Sequence, residues 1–368
     1  MRISIKNWPA LEPISRRQIN VSGKLNHRFW STPQSGVISI IKTPEIEECF
    51  ILLGKIVWLI IIVLIIMILL PVLLTVDLSR LKREEKIILK VFNYQQERVV
   101  NMELNDYLHG VVAAEMPAIY HLEALKAQAV AARTYAIKQL PKFGGSGYDD
   151  YSGVDITTDS RVHQAWLSEE ELKERWGFLG YFYYWSRINR AVEETSGEII
   201  IYNDKPIDAV YHANSGGRTE DSSLVWGTAL PYLKSIESPF DSESEKNYSQ
   251  IKYFSSSEII RALKLNNTAG LVELMVSKRS GSGRVMEVLA GGKQFSGREI
   301  RERLGLPSTN FEVKQDGDIF RFSILGKGHG VGMSQDGANA LAKRGHNYRE
   351  ILEYYYPGVK ITTIECIK

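Results

Sequence analysis

The hydrophobic pattern divides the chain into unequal parts. Ile56 to Val76, "IVWLIIIVLIIMILLPVLLTV", is 21 residues without a charge. A helix of that length crosses a hydrocarbon core of about 30 Å. A buried core helix is the other reading, but this stretch is apolar on every face and Ile/Leu-rich throughout. Pro71 lies near one end, where a kink is tolerated. The run exceeds the 7–15 residues of a cleaved leader, and no small-residue cleavage pattern follows it directly. The pattern therefore predicts a retained single-span anchor, with "TVDLSRLKREEK" as the start of a stalk. Residues 1–55 show no sustained period and are expected to form a poorly structured cytoplasmic tail.

Beyond the stalk, periods of two and of 3.6 alternate irregularly. "KIILKVFNYQQERVVNMEL" predicts a β-hairpin turning near "NYQQE". "ELNDYLHGVVAAE" predicts a helix of about three turns, capped by Asn105 or Asp106. Pro117 disfavours helical geometry at Met116, so the helix should end at Glu115. "HLEALKAQAVAARTYAIKQL" is the clearest helix, with a stripe of Leu122, Leu125, Ala129, Ala132 and Ala136. "PKFGGSGYDDYSG" is a loop. "SEEELKERW" opens with a capping box, Ser168 with Glu171. "SRINRAVEETSG" predicts a separate helix stopped by Gly197. "EIIIYNDKPIDAVYHAN" reads as two short strands around Asn203–Asp204. "SSSEIIRALK" is helical, and "LVELMVSKRSGSGRVMEVLAGG" is a strand, a glycine turn and a strand. "MSQDGANALAKRG" and "NYREILEYYYPG" close the chain as helices. Helices and strands mix without βαβ alternation, which predicts an α+β fold over residues 77–368. No internal repeat is present.

Charge and cysteines narrow the function classes. Residues 77–368 carry 37 Lys+Arg against 39 Asp+Glu, which is no nucleic-acid footprint. The tail to residue 55 carries 8 Lys+Arg against 4 Asp+Glu, but Arg80, Lys82, Arg83 and Lys86 flank the other end of the apolar run. Charge alone leaves the orientation open. Cys49 and Cys366 flank the apolar run and would lie on opposite sides of a membrane. They make neither a disulfide nor a cysteine-based metal site.

Three stretches offer chemistry. In "VVAAEMP", Glu115 ends an apolar run at a helix C-terminus, where the dipole disfavours a negative charge. A solvated carboxylate is one reading. The other is an acid whose pKa is raised, as a general acid needs near neutrality. In "VYHANSGGRTE", His212 and Ser215 lie beside a glycine pair that leaves room for a ligand. No G-x-S-x-G elbow is present, so a serine hydrolase is weakly supported and a polar turn is at least as good an account. In "GKGHGVGMSQDGA", four glycines surround His329, without the spacing or Lys-Ser/Thr pair of a phosphate-binding loop. His163, His212 and His329 lack short ligand spacing, so no metal site is expected. "YFYYW", Tyr181 to Trp185, either stacks sugars or packs on the core.

Taken in order, "YLHGVVAAEMP", "EALKAQAVAARTYA", "VYHANSGGRTE", "VWG", "PYLKSIESP", "SGRV", "GREIRERLGLPST", "GHGVGMSQDGA" and "YREILEYYYPG" resemble the stage II sporulation protein D family of spore-forming bacteria. The resemblance runs from about the stalk to the C-terminus and leaves out the N-terminal tail. It implies a membrane-anchored lytic transglycosylase that cuts peptidoglycan glycan strands, preferably ones stripped of stem peptides, during forespore engulfment. It places the catalytic domain outside the mother-cell membrane, facing the forespore. It implies two partners, the P-type sporulation amidase and the M-type scaffold, and no cofactor. The family's catalytic glutamate corresponds to Glu115. The matching motifs make Gln128, Arg133, Tyr135, His212, Ser215 and His329 candidates to hold the glycan. Arg133 and Tyr135 have a structural alternative, tying their helix to the loops.

Two departures stand out. Asp336 lies where the family often has an aromatic residue, which would weaken stacking at a cleft edge. Some relatives hold zinc with a Cys and a His near "TTDSRVH", whereas here His163 has no cysteine near it. The competing functions are a non-catalytic glycan-binding amidase enhancer and a zinc or serine amidase.

Overall fold

The computed structural model describes residues 44–75, 86–244, 246–266 and 272–367. The tail to residue 43 and the stalk from Val76 to residue 85 lie outside these. Two compact units are present, Met1–Lys82 and Arg83–Lys368.

In the first unit, α1 (Pro44–Thr75) is one 32-residue helix. It begins twelve residues before the apolar run, so part of the segment expected to be poorly structured is helical. The described side chains from Leu52 to Ile68 are exposed and mostly large and apolar. Among the described residues no helix is long and apolar enough to cross a membrane. The membrane-spanning helix expected over 56–76 is therefore not found among the described residues.

The second unit mixes helices with short strands, as α+β patterning predicts. β1 (Ile88–Asn93) and β2 (Arg98–Glu103) form the expected hairpin. α2 (Leu104–Glu115) follows without a loop, and its N-cap is Glu103 rather than Asn105 or Asp106. The Leu104 amide is taken by the Ile87 carbonyl at 2.9 Å, so the hairpin itself satisfies the helix start. Met116 has extended backbone, φ −122° and ψ 137°, and ends the helix as Pro117 requires.

α3 (Leu122–Gln139) is buried almost all round, not along one stripe. Its alanines let α2 and later elements approach from several sides. β3 (Ile156–Thr157) adds to β1 in parallel. α4 (Glu169–Glu193) joins the two helices predicted separately. Its interruption is Gly177, at φ 66° and ψ 172°, outside helical geometry. β4 (Glu198–Tyr202) and β5 (Lys205–Pro206) turn through Asn203 and Asp204, both at positive φ.

After β6 (Tyr211–His212) and the short α5 (Ser222–Trp226), the chain builds a second core. β7 (Ser249–Ser255), α6 (Ser256–Leu263), β8 (Leu274–Arg279), β9 (Val285–Ala290), β10 (Lys293–Ser296), α7 (Gly297–Arg303), β11 (Phe311–Asp316) and β12 (Ile319–Leu325) make two three-stranded sheets and two helices. Ile259, Val288, Ile300, Phe320 and Phe322 are buried within this insertion. β13 (Met333–Ser334) then returns to pair in parallel with β6. α8 (Gln335–Lys343), α9 (Tyr348–Tyr355) and β14 (Lys360–Thr363) complete the first core, β14 pairing with β4. The β6–β13 pair joins chain stretches more than a hundred residues apart, and both glycine-rich loops hang from it.

Candidate active site

Glu115 sits at the last position of α2, held between buried Val111, Val112, Ala113 and Met116. It is itself only partly buried. Its Oε1 accepts the Ala165 amide at 2.7 Å. Burial raises its pKa to about 7, with the Ala165 hydrogen bond pulling the other way. No charged neighbour contributes to that shift.

Three phenols and one amide surround it. Burial, and then the charges of Tyr135 and Glu115, hold the Tyr107 phenol well above its ordinary value. Burial and then Glu115 do the same to Tyr211. Burial, then Asp208, then Glu115 push Tyr135 up to about 12. All three stay protonated at neutral pH. The Tyr107 hydroxyl donates to Gln164 Oε1 at 3.4 Å, and Gln164 Nε2 donates to the Tyr211 hydroxyl at 2.8 Å. Gln164 precedes Ala165, so one loop carries both the amide that holds Glu115 and the side chain that orders the phenols. The result is one carboxyl among neutral hydroxyls, able to hold a proton near neutrality and to release it.

The other candidates divide by exposure. Glu115, Tyr135, Tyr211 and His329 are partly exposed, whereas Gln128, Arg133, His212 and Ser215 are buried. Arg133 donates to the carbonyls of Val192 and Glu198 and to Thr195 Oγ1 at 3.0–3.3 Å, so it ties α3 to the α4–β4 junction. That placement fits the structural alternative for Arg133. Gln128 accepts from Gln335 Nε2 at 3.2 Å, linking α3 to α8. Its own Nε2 is buried without a partner.

The two loop histidines are pinned. His212 Nδ1 meets the Val331 carbonyl and Nε2 meets Ser215 Oγ, each at 3.0 Å. A carbonyl only accepts, so Nδ1 carries the hydrogen and Nε2 accepts the serine hydroxyl. Burial, and then the neighbouring His329, keep His212 uncharged. His329 Nε2 faces the Tyr211 carbonyl at 3.0 Å, and its Nδ1 accepts the Val331 amide at 3.1 Å. Burial, then the Arg301 charge, push it down to about 4. Ser215 has no exposed surface, so its contact with His212 is a clasp within the fold and not an open nucleophile.

Two acids outside the expected set of site residues organise these loops. Asp241 is fully buried and accepts from the Ser215 amide, the Gly217 amide, Ser238 Oγ and Ser334 Oγ at 2.7–3.4 Å. Asp336 is also buried, which corrects its expected place at a cleft edge. It accepts from Asn214 Nδ2 at 2.9 Å, Asn247 Nδ2 at 3.1 Å and the Tyr120 hydroxyl. An aromatic side chain there could not close that network. His163 Nδ1 accepts the Thr157 amide at 3.1 Å. Among the described residues no group of three or more His, Cys, Asp or Glu is placed to hold a metal.

The family model described as stage II sporulation protein matches residues 93–202. The chain is 38% identical over 280 residues to stage II sporulation protein D of Bacillus subtilis (strain 168), which covers 76% of this chain and 80% of that protein. The same figures hold for its counterpart in Bacillus amyloliquefaciens. This chain belongs to the stage II sporulation protein D family. It is also 31% identical over 312 residues to the amidase enhancer of Bacillus subtilis (strain 168), covering 70% of this chain and 40% of the enhancer.

The segment matched by the stage II sporulation model contains Glu115, Tyr135 and Gln164. His212, Ser215 and His329 lie beyond it, His212 in β6 itself and the other two in the loops that flank the β6–β13 pair. Tyr211 connects the two parts, since its hydroxyl belongs to the Glu115 group and its carbonyl holds His329.

In "YFYYW", Tyr181 packs into the core and stacks on Trp185 at 5.6 Å, while Phe182 and Tyr183 are more than half exposed. Tyr181 thus takes the core-packing fate.

Proposed function

We propose that this protein is a lytic transglycosylase that cuts peptidoglycan glycan strands during sporulation. The observation that carries the reading is Glu115: one partly exposed carboxyl, raised to about 7 by burial, with no charged partner among the described residues. A glycoside hydrolase ordinarily needs a second carboxyl to activate water or form a covalent intermediate. Intramolecular transfer needs only one. Protonated Glu115 gives its proton to the glycosidic oxygen as the bond to the muramic acid C1 breaks. The resulting carboxylate then takes the proton of the muramic acid C6 hydroxyl as O6 bonds to C1. The products are a free sugar hydroxyl and a 1,6-anhydro end, and Glu115 is protonated again. A pKa near 7 suits both halves of this cycle. Tyr135, Tyr211 and His329 are the partly exposed neutral groups that would hold the sugars.

The wider setting belongs to the same proposal. The protein works at the mother-cell membrane, with the catalytic domain outside and facing the forespore. The strands come from a P-type amidase, and an M-type scaffold holds the two together. The relative named amidase enhancer motivates a second reading, glycan binding without cleavage. Full-length protein in detergent, incubated with peptide-free glycan strands, decides between them by mass spectrometry. Products ending in 1,6-anhydro sugar support the enzyme. Strand binding without products supports the enhancer. Peptide release instead of strand cleavage would point to an amidase.

A further inference from the structure

A cavity of about 460 Å³ lies between the insertion and the α5 loop of the main core. Its wall includes Arg161, Arg284, Arg298 and Arg301, with Trp226 and His329. Three of the four guanidinium groups are engaged. Arg161 clasps Asp159 at 2.6 Å, and Arg298 pairs with Glu302 at 2.8 Å. Arg284 is buried and gives its Nη atoms to the Ser215 and Arg218 carbonyls at 2.7 and 2.9 Å. Arg301 is different: it is partly buried, and no described residue accepts a hydrogen bond from its guanidinium or pairs with it. Arg284 adds a second waiting donor, because its Nε–H is buried without an acceptor.

A desolvated guanidinium is costly unless an anion meets it. Neither acid on the wall hydrogen-bonds to or forms an ion pair with Arg301, although the Glu302 charge acts on it. Glu220 already accepts from Ser282 Oγ at 2.7 Å, the Asp221 amide at 3.0 Å and the Ser280 hydroxyl, and Glu302 is taken by Arg298. The planar fork of an arginine matches the planar carboxylate best. Beside it, the Trp226 ring lies 5.3 Å from that of His329 and is 44% exposed, a face on which a sugar ring can stack. One residue links the cavity wall to the proposed catalytic group, since the Tyr211 carbonyl holds His329 while its hydroxyl accepts from Gln164.

We propose that Arg301 is the specificity-determining residue of a subsite for a carboxylated sugar, the muramic acid whose lactyl group ends in a free carboxylate. This rests on the transglycosylase reading. When a stem peptide is attached, that lactyl carboxyl is an amide and carries no charge. Hydrolysis of the amide restores the charge, so Arg301 reads whether the strand has been stripped.

The test uses full-length protein in detergent and two ligands made from one preparation. One is peptide-free glycan, and the other is the same glycan with its lactyl carboxylates converted to methylamides. Wild type is expected to bind the free carboxylate about 10-fold or more tightly, as a charge-assisted contact requires. Arg301→Gln is expected to bind both with the weaker affinity. Arg301→Lys, which keeps the charge and loses the fork, should retain only part of the preference. Equal binding of the two glycans by wild type overturns the subsite while leaving the glycan reading intact. So does a preference that survives in a folded Arg301→Gln variant. Binding of neither glycan by wild type overturns both.

Discussion

Glu115 Oε1 accepts the Ala165 amide at 2.7 Å, and Glu115 Oε2 has no hydrogen-bond partner among the described residues. The two oxygens are therefore unlike. One is fixed by a backbone that cannot move away without disturbing Gln164 and the phenols behind it. The other remains available. A single backbone donor stabilises the carboxylate too weakly to offset its burial, which is why the pKa settles near 7 and not near 4.5.

Glu115→Gln keeps the shape and removes the proton. Strand cleavage should fall by about 10²–10⁴-fold, the usual worth of a positioned acid–base group. Binding to peptide-free strands should change little. Initial rates on denuded strands and a pull-down with the same strands check both halves. Wild-type-like cleavage by this variant would remove Glu115 from the chemistry.

The same substitution should change the pH dependence of folding. The folded-state pKa of Glu115 is raised above its unfolded value, so the folded chain binds more protons between about 4.5 and 7. Its contribution to stability is most favourable below 4.5 and falls as pH rises to 7. Glu115→Gln removes that dependence. The variant should therefore gain on wild type by up to about 3 kcal/mol between pH 4.5 and pH 8. Urea unfolding at several pH values measures the difference, and parallel curves would refute it.

The helix ending at Glu115 and the alanine-rich helix after it were readable because a proline and a repeating apolar period act locally. The roles of Arg133 and Asp241 were not. Arg133 lies on a helix whose period suggests one buried stripe, yet partners from α4 and β4 cover its other faces. Asp241 sits in a segment without a motif, and its four donors come from three separate stretches of chain. Asp336 was visible as a departure from an aromatic position, but only the tertiary network explains it. The insertion was half legible: its glycine hairpin at 280–283 has a turn signal and Phe320, Phe322 and Ile324 alternate along β12, but that these strands close a separate core shows only in the packing. Arg301 carries no sequence signal beyond its charge. What marks it is the absence of a partner among the described residues, which only packing reveals.

Asp241 offers a test of the loop architecture. Two of its donors are backbone amides and two are hydroxyls. Asp241→Asn can keep one oxygen on the amides and turn its NH₂ toward the hydroxyls, which can reverse and accept. It should cost no more than about 1–2 kcal/mol. Asp241→Ala leaves buried donors unmet and should cost about 3–5 kcal/mol. Chemical denaturation of the three proteins gives the ordering. Equal losses in the two variants would show that the hydrogen-bond count is not what matters.

Gly330 and Arg284 should behave as a coupled pair. Gly330 lies at φ +84°, and a Cβ there would overlap the Arg284 guanidinium. That guanidinium is the insertion's hold on the Ser215 and Arg218 carbonyls. Gly330→Ala should therefore cost about 2 kcal/mol or more, from backbone strain and from displacing Arg284. Arg284→Met removes the obstruction but strands both carbonyls, at about 1–3 kcal/mol for each. In the double variant the displacement component of the alanine's cost has already been spent. The combined loss should fall short of the sum by about 1 kcal/mol or more, as residues in contact do. Strict additivity in a double-mutant cycle would mean that Arg284 has room to move, and that the insertion is held by other contacts.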